Sequence, residues 1–505
     1  MGTYILLRRY PILNYNAEIN PDESQLLAQA LTLWHHAIYW RFVDGATMGP
    51  LSSYFTALPA LFGFPLDYLV ARWLGVGCTL ITLGAVYLSA VNLFGWRAAG
   101  LALLPAVAFT GYTQHDDFVH DTNEQLSLAL ISICLWQFSH LIRYQKTAQA
   151  GWLFWLTFTA SLVPFAKLQG TPSVLVIVLA AFVTLLRQRK QLPVSSFGRA
   201  MTGFLAGGLA FPLIFVGLTV YFDVFDDFIQ FYILGNAAYG SGNSIWVDTV
   251  KFLDLLNRMD HFAQFLLPTA GLLIGRVLWP ARTDVKPGHL VFCLTLLFVN
   301  LYAIIKPGNA FGHYLLYLLA PVSLLNAYLI ATIRLPLARV SIGLALLVCL
   351  TIAVNEVALW RSGQPFSQYR IAKRQMKLSC VADLTLKYAR PGEDLVVWGW
   401  MPRYNVQTQM PQGVADNHVI RCLLGDPAVQ RIHRIRYIQN IKRSNPPVFI
   451  DSVGENCLWL NDRSRFAHEK FPELNEYISK NYRWVGETEY TRVYVRIDRY
   501  KRIST

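Results

Sequence analysis

The chain has 505 residues, 54% hydrophobic and 15% charged, with a formal net charge of +13. A disordered chain is excluded by 14 Trp, 25 Tyr and 30 Phe, and soluble domains carry about 25% charged residues, well above this content. The shortage of charge is uneven, which argues against a wholly soluble enzyme. Long apolar runs dominate residues 1–357, whereas residues 358–505 hold an ordinary mixture of polar and charged groups.

The fold class expected from this split is a polytopic α-helical membrane protein with an extracytoplasmic C-terminal α/β domain. Its two parts are a transmembrane domain at 1–357 and a soluble domain at 358–505. The excess of Lys and Arg then has a topological origin, since basic residues collect on cytoplasmic loops and face anionic lipid. No nucleic-acid motif accompanies it, so a nucleic-acid partner is not expected.

In chain order, MGTYILLRRYPILNYN lacks the apolar stretch of a cleavable signal peptide. Residues 14–67 form a long polar and aromatic loop. Ten apolar runs follow, at 68–94, 96–112, 122–142, 151–166, 172–187, 200–222, 261–280, 288–305, 314–333 and 337–357. Each approaches the roughly 20 residues that a span requires. One set of connecting loops is short and basic: Arg97; Arg143 and Lys146; Arg187, Arg189, Lys190 and Arg199; Arg276, Arg282 and Lys286; Arg334 and Arg339. These are expected on the cytoplasmic side.

The other set is acidic and aromatic: 14–67, 112–124, 167–171, 223–260 and 306–314. It is expected to face the periplasm or lumen together with the C-terminal domain, in what reads as a bacterial inner-membrane protein. Ten spans with an outside C-terminus also put the N-terminus outside. An eleventh helix before residue 1 would resolve this; the alternative is a short tail carried across with the first hairpin.

In the C-terminal part, strands are expected at LVVWGW (395–400), PVFIDSV (447–453) and RVYVRI (492–497), with helices at 367–389 and 472–482. No G-x-G-x-x-G follows the strands, so a dinucleotide site is not expected. The seven cysteines show no CxxC or CxxH spacing. One disulfide among Cys380, Cys422 and Cys457 is conceivable if this part is extracytoplasmic. Arg403 and Tyr404 lie just after a strand end, where α/β ligand sites usually fall.

Four outer segments concentrate polar groups, which are costly near a membrane and tend to be functional. Asp22 and Glu23 open INPDESQLLAQAL; the same residues also suit a helix N-terminus. The 112–124 loop carries His115, Asp116, Asp117, His120, Asp121 and Glu124. His120 and Glu124 are four apart and would share a helical face, but no second histidine joins them there, and no metal is expected. Lys167 and Gln169 sit at a span end, where a snorkelling lysine is equally at home. KPGNAFGHY places Lys306, His313 and Tyr314 at another, where an aromatic and basic anchor would also fit. Read jointly, a carboxylate could take a proton from an acceptor hydroxyl while cations hold a phosphate leaving group. Transfer of a sugar from a polyprenyl-phosphate carrier requires just those two capacities.

This order of motifs resembles the GT-C superfamily of integral membrane glycosyltransferases. The branch in question holds the protein O-mannosyltransferases, the lipid A aminoarabinose transferase and the Rgt-like galacturonosyltransferases. Asp22-Glu23 matches the acidic pair of that family's first outer loop, and MGPLSSYFTALPALFG (48–63) is similar to its amphipathic juxtamembrane segment, with Gly49-Pro50-Leu51 where Pro-Pro-Leu often stands. The cluster at 115–124 matches the second outer loop. PFAKLQG resembles a Leu-Thr-Lys-Gly span end, although Leu-Gln-Gly rather than Gly-Pro follows Lys167. GNAFGHYLLYLLAPVSLL (308–325) resembles the late His-Tyr motif, and WGWMPRYNVQTQ (398–409) a segment of bacterial members.

The resemblance implies a cell-envelope enzyme that inverts configuration at the transferred sugar. Asp22 would be its general base, with Glu23 beside it. Asp116, Asp117, Glu124 and His120 would serve the acceptor or the sugar. Lys167, His313, Lys306 and Tyr314 would contact the donor phosphate. No cofactor is implied beyond the polyprenyl-phosphate sugar as donor substrate, and the acceptor is a lipid, glycan or protein. A transporter or flippase of lipid-linked sugar would place its charges near the bilayer midplane and repeat its halves, and neither feature is read here. A non-catalytic membrane scaffold is the other alternative.

Overall fold

The structure is a computed structural model that describes residues 1–144, 149–239, 244–279, 286–333, 336–369 and 374–504. Of the basic residues used to orient the loops, Lys146, Arg282 and Arg334 lie outside the described residues.

Among the described residues, eight helices are long and apolar enough to cross a membrane: Tyr68–Phe94, Asn123–Arg143, Leu168–Gln191, Val194–Tyr221, His261–Leu278, Pro287–Ile305, Gly312–Thr332 and Ala338–Arg361. The chain is thus a polytopic helical membrane protein. Two of the ten runs expected to span form shorter helices, Trp96–Tyr112 and Ala150–Ala166, each of 17 residues. At 1.5 Å per residue such a helix reaches about 25 Å, less than the roughly 30 Å of a hydrocarbon core.

The chain divides into two compact units. The first joins residues 1–13, 73–218 and 236–371. Its centre is Gly312–Thr332, 94% buried, whereas Val194–Tyr221 and Ala338–Arg361 are only 11% buried and keep apolar sides free to meet lipid. Small residues permit the tightest helix contact. A Cβ on Gly203 would lie 2.3 Å from the Ala150 carbonyl oxygen, and one on Gly207 only 2.1 Å from that of Phe154. This Gly-x-x-x-Gly pair lets Val194–Tyr221 lie directly on Ala150–Ala166, where the Thr157 hydroxyl donates to the Phe204 carbonyl at 2.8 Å.

The N-terminal segment is a helix, Gly2–Leu13. Its Arg9 is buried and donates to the carbonyls of Thr110 (2.8 Å) and Phe118 (3.1 Å), while Arg8 pairs with Glu356. The Tyr4 ring occupies the space left by Gly111, where a Cβ would meet it.

The second unit joins residues 14–72, 219–235 and 372–505. Its sheet has the strand order β1 (Leu395–Trp398), β2 (Val448–Asp451), β4 (Thr491–Arg496), β3 (Tyr482–Thr488). β1 and β2 run parallel, and the other two pairings are antiparallel. The three expected strands are present. The fourth, β3, is an edge strand with a single buried side chain, Tyr482, and so no buried pattern. It returns through Glu489 and Tyr490, both at positive φ, in a two-residue hairpin turn. The helix expected at 472–482 is Pro472–Asn481. Within 367–389 only Cys380–Leu386 is helical among the described residues.

An 18-residue helix that sequence reasoning missed, Pro427–Ser444, buries His433, Arg436, Tyr437, Asn440 and Ile441. Polar residues on the inward face erase the apolar period that normally reveals a helix. All seven cysteines are free thiols; Cys422 and Cys457 are buried and Cys380 is exposed. The disulfide that an extracytoplasmic location would permit among them is not formed.

Candidate active site

In the first unit, three segments bring ionisable groups to the ends of spans. The 113–122 loop contains a single helical turn, Asp116–Val119, capped by His115, and then enters Asn123–Arg143 through a Thr122 capping box. That entry sets Glu124 in the first turn. Lys167 ends Ala150–Ala166 in an extended conformation, which frees its side chain from the helix. His313 and Tyr314 lie in the turn of 3-10 helix Gly312–Leu318. Gly312 is needed here, because a Cβ would sit 2.4 Å from an Asp117 carboxylate oxygen.

The resulting cluster is nearly dry: Glu124 is 1% exposed, Lys167 4% and His313 6%. Lys167 Nζ donates directly to Glu124 Oε1 and stands over the Tyr314 ring, 5.0 Å from its centroid. His313 lies between two carboxylates, with Nδ1 3.5 Å from Asp117 and Nε2 3.8 Å from Glu124. Phe311 stacks on the His313 ring at 5.4 Å, and the His120 ring meets it edge-on at 6.3 Å. Burial raises the Asp117 pKa, but the hydrogen bond and charge of His313 outweigh it and hold the carboxyl down at about 2. The cluster therefore sets the buried Lys167 ammonium and the His313 imidazole among carboxylates, a setting in which a bound anion meets a preorganised positive group.

Not every expected residue joins it. Asp116 is exposed, and its carboxylate accepts from the Tyr369 hydroxyl at 2.9 Å. Its carbonyl takes His120 Nδ1 at 2.5 Å, leaving His120 Nε2 buried without a partner. Lys306 is half-buried at the end of Pro287–Ile305 and makes no ion pair among the described residues. Gln169 donates to the Ala303 carbonyl at 3.0 Å, which ties two helices together.

In the second unit, Asp22 and Glu23 lie in the first turn of Pro21–His35, where Asn20 caps the Asp22 amide at 2.9 Å. The two carboxylates differ sharply. Glu23 is fully buried and grips Arg72 in a fork, Nε to Oε1 at 2.8 Å and Nη2 to Oε2 at 2.6 Å. Arg72 also donates to the carbonyls of Tyr15 and Ala17. The Asp22 side chain is half-buried and makes no hydrogen bond or ion pair among the described residues. Nearby, Ser24 bonds both Glu18 and the Tyr68 hydroxyl, and Arg403 comes within 3.8 Å of Glu18. Burial raises the Glu18 pKa, opposed by Ser24 and Arg403. The Tyr404 hydroxyl pairs with Thr491 at 3.2 Å.

Two further clusters escaped sequence reasoning. Arg436 binds Asp44 and Asp416, with His433 2.7 Å from Asp416, and its guanidinium carbon lies 3.5 Å from the Phe231 ring centroid. Asp451 is shared by His468 (2.6 Å) and Arg463 (3.2 Å), with Glu469 beside them. Each set offers three metal-ligating groups, Asp44, Asp416 and His433 or Asp451, His468 and Glu469. In both, an arginine already supplies the cation that the carboxylates require. The only sequence signal for such groups was a charged residue in an apolar run, as with Arg72.

The chain is similar in structure to ArnT from Cupriavidus metallidurans bound to undecaprenyl phosphate. The TM-score is 0.58 at 15% identity, covering 97% of this chain and 96% of that one. The apo state of the same protein gives 0.56 at 14% identity over the same shares. A weaker likeness is to the archaeal oligosaccharyltransferase AglB from Archaeoglobus fulgidus in complex with an inhibitory peptide and a dolichol-phosphate. Its TM-score is 0.42 at 11% identity, covering 89% of this chain and 69% of that one. No protein-family model and no curated protein sequence matches. The likeness to the two ArnT structures shows the fold: a polytopic helical membrane protein with a small C-terminal sheet domain, as expected from the sequence.

Proposed function

We propose that this membrane protein is a glycosyltransferase that moves a sugar from a polyprenyl-phosphate donor to an extracytoplasmic acceptor. The observation that carries the reading is the buried Lys167–Glu124–His313 cluster at span ends, with Asp117 half-buried beside it, in a chain folded like an undecaprenyl-phosphate-bound ArnT. Lys167 and His313 hold the donor phosphate, and Tyr314 and Lys306 line its approach. Lys167 spends one of its three donors on Glu124, so two remain for phosphate oxygens. Glu124 and Asp117 fix the two cations, and Asp117, His120 and Asp116 serve the sugar or the acceptor.

Asp22 is the base. It takes the proton of the acceptor hydroxyl as that oxygen bonds to the anomeric carbon from the face opposite the phosphate. The bond from carbon to phosphate oxygen breaks, its electron pair leaves with the polyprenyl phosphate, and configuration inverts. A phosphate that departs as an anion needs no general acid. Glu23 supports Asp22 from its fork with Arg72. The step uses no cofactor, and in this reading the outer loops and the C-terminal domain face the periplasm of a bacterial inner membrane.

The test is transfer from a panel of radiolabelled polyprenyl-phosphate sugars by the purified protein and its Asp22→Asn variant. A fall of at least a hundredfold, with donor binding retained, is expected of a lost general base. Equal turnover in both proteins removes Asp22 from the mechanism.

A further inference from the structure

A cavity of about 470 Å³ opens in the second unit between the N-terminal half of Pro427–Ser444 and the first turn of Pro472–Asn481. The volume falls in the range of about 300–1,000 Å³ typical of small-molecule sites. Its floor is aromatic and fixed. Trp398, at the end of β1, packs edge-on against Tyr437 at 5.0 Å and against Phe471 at 5.1 Å, and its indole donates to the Phe466 carbonyl at 2.8 Å. The cavity thus starts where a parallel strand ends, the usual place for ligands in α/β units.

Two arginines give it a positive wall. Arg431 and Arg434 both line it, and neither is in an ion pair among the described residues, as is also true of Arg41, Arg390, Arg421, Arg443, Arg465 and Arg483 of the same unit. Arg434 is already held in place, donating to the Cys422 carbonyl at 2.7 Å and to Gln430 at 2.8 Å, with its guanidinium 4.7 Å from the Phe471 ring centroid. A guanidinium fixed before binding loses little freedom when it meets an anion. The one acid in the lining, Glu473, pairs with neither arginine. With Gln430 it offers acceptors and donors suited to hydroxyl groups.

We infer that this cavity binds an anionic sugar, a saccharide bearing a phosphate or carboxylate. Arg431 and Arg434 take the anion, Phe471 takes the apolar face of the ring, and Gln430 and Glu473 take its hydroxyls. Its use as an acceptor subsite rests on the transferase reading; the binding itself does not.

The full-length protein in nanodiscs of zwitterionic lipid is titrated by calorimetry with glucose 1-phosphate, galacturonate, glucose and inorganic phosphate. The two acidic sugars are expected to bind at least tenfold more tightly than either glucose or phosphate. The double variant Arg431→Gln/Arg434→Gln is expected to remove that advantage. Ile435→Trp, at an exposed position on the rim, fills the cavity while leaving both arginines, and is expected to do the same with an unchanged melting temperature. Acidic sugars that bind no better than glucose, or equally well to both variants, overturn the assignment.

Nanodiscs carrying monophosphoryl lipid A separate the sources. Competition with glucose 1-phosphate assigns the cavity to a glycolipid headgroup, and its absence to a free sugar. Absence of transfer from every donor of the panel would count against the transferase reading alone, because these titrations measure no transfer.

Discussion

Adjacent carboxylates at 22 and 23 invite the assumption that they act as a pair, and the structure gives reason to separate them. Glu23→Gln removes the anion from a fork whose side chains are 0% and 1% exposed. Arg72 is then left as a buried charge, and breaking a buried pair from one side costs about 3–5 kcal/mol. In a domain of 150–250 residues, 1 kcal/mol shifts the melting temperature by about 2–4 °C, so a drop of roughly 10 °C is expected. Asp22→Asn touches no partner and should melt within about 0.5 kcal/mol of wild type while losing at least a hundredfold in turnover. The double variant Glu23→Leu/Arg72→Leu should recover only part of the loss. The carbonyls of Tyr15 and Ala17 still lack their donor, at about 1 kcal/mol each. The assay is thermal unfolding in detergent beside transfer from the donor panel. A Glu23→Gln protein that melts like wild type yet transfers nothing would refute this division and make Glu23 part of the chemistry.

Lys167→Met should lower stability by about 3–5 kcal/mol, because Glu124 stays buried without its ammonium. Adding Glu124→Gln should restore folding but not donor binding, as read by unfolding and by retention of labelled donor. Asp117 titrates near 2 when folded against 3.8 as a free side chain. Its contribution is therefore fully present above about pH 4 and lost as the pH falls towards 2, on the order of 2 kcal/mol. Thermal unfolding from pH 5 to pH 2 should fall less steeply in Asp117→Asn than in wild type, the remaining slope coming from other carboxylates held in ion pairs, such as Glu124. Gly207→Ala should destabilise by about 1–3 kcal/mol, since its Cβ meets the Phe154 carbonyl. Gly208→Ala, whose new Cβ would meet only the Thr157 Cβ at an ordinary 3.8 Å, should melt with the wild type.

Legibility followed the physics that generates each feature. Spans and buried strands declare themselves because burial by lipid or by core selects long apolar runs, and Val448–Asp451 or Thr491–Arg496 need no distant information. The helix Pro427–Ser444 stayed hidden because it buries charge rather than hydrocarbon. Its Arg436 makes sense only beside Asp44, nearly 400 positions away in sequence. In the candidate site, residue types were readable while their partnerships were not. The sequence marks Glu124 and Lys167 as costly groups near lipid, but only the extended conformation of Lys167 at a helix end brings them into contact.

That distinction between residue and partnership bears on chemistry. A carboxylate locked in a fork with arginine has its lone pairs occupied and its charge neutralised, so it is a poor proton acceptor however close a substrate comes. By this criterion Glu23, Asp416 and Asp451 hold structure, and Asp22 is an acidic residue of its segment in no ion pair among the described residues. The same logic applied to cations separates Arg72 and Arg436, already engaged by carboxylates, from Arg431 and Arg434, which are not. Lys167 lies between the two cases: its ion pair with Glu124 offsets the cost of burying the ammonium, and its remaining donors stay available. A buried cation held by one carboxylate can bind a phosphate without a large rearrangement, because the site is charged and oriented before the ligand arrives.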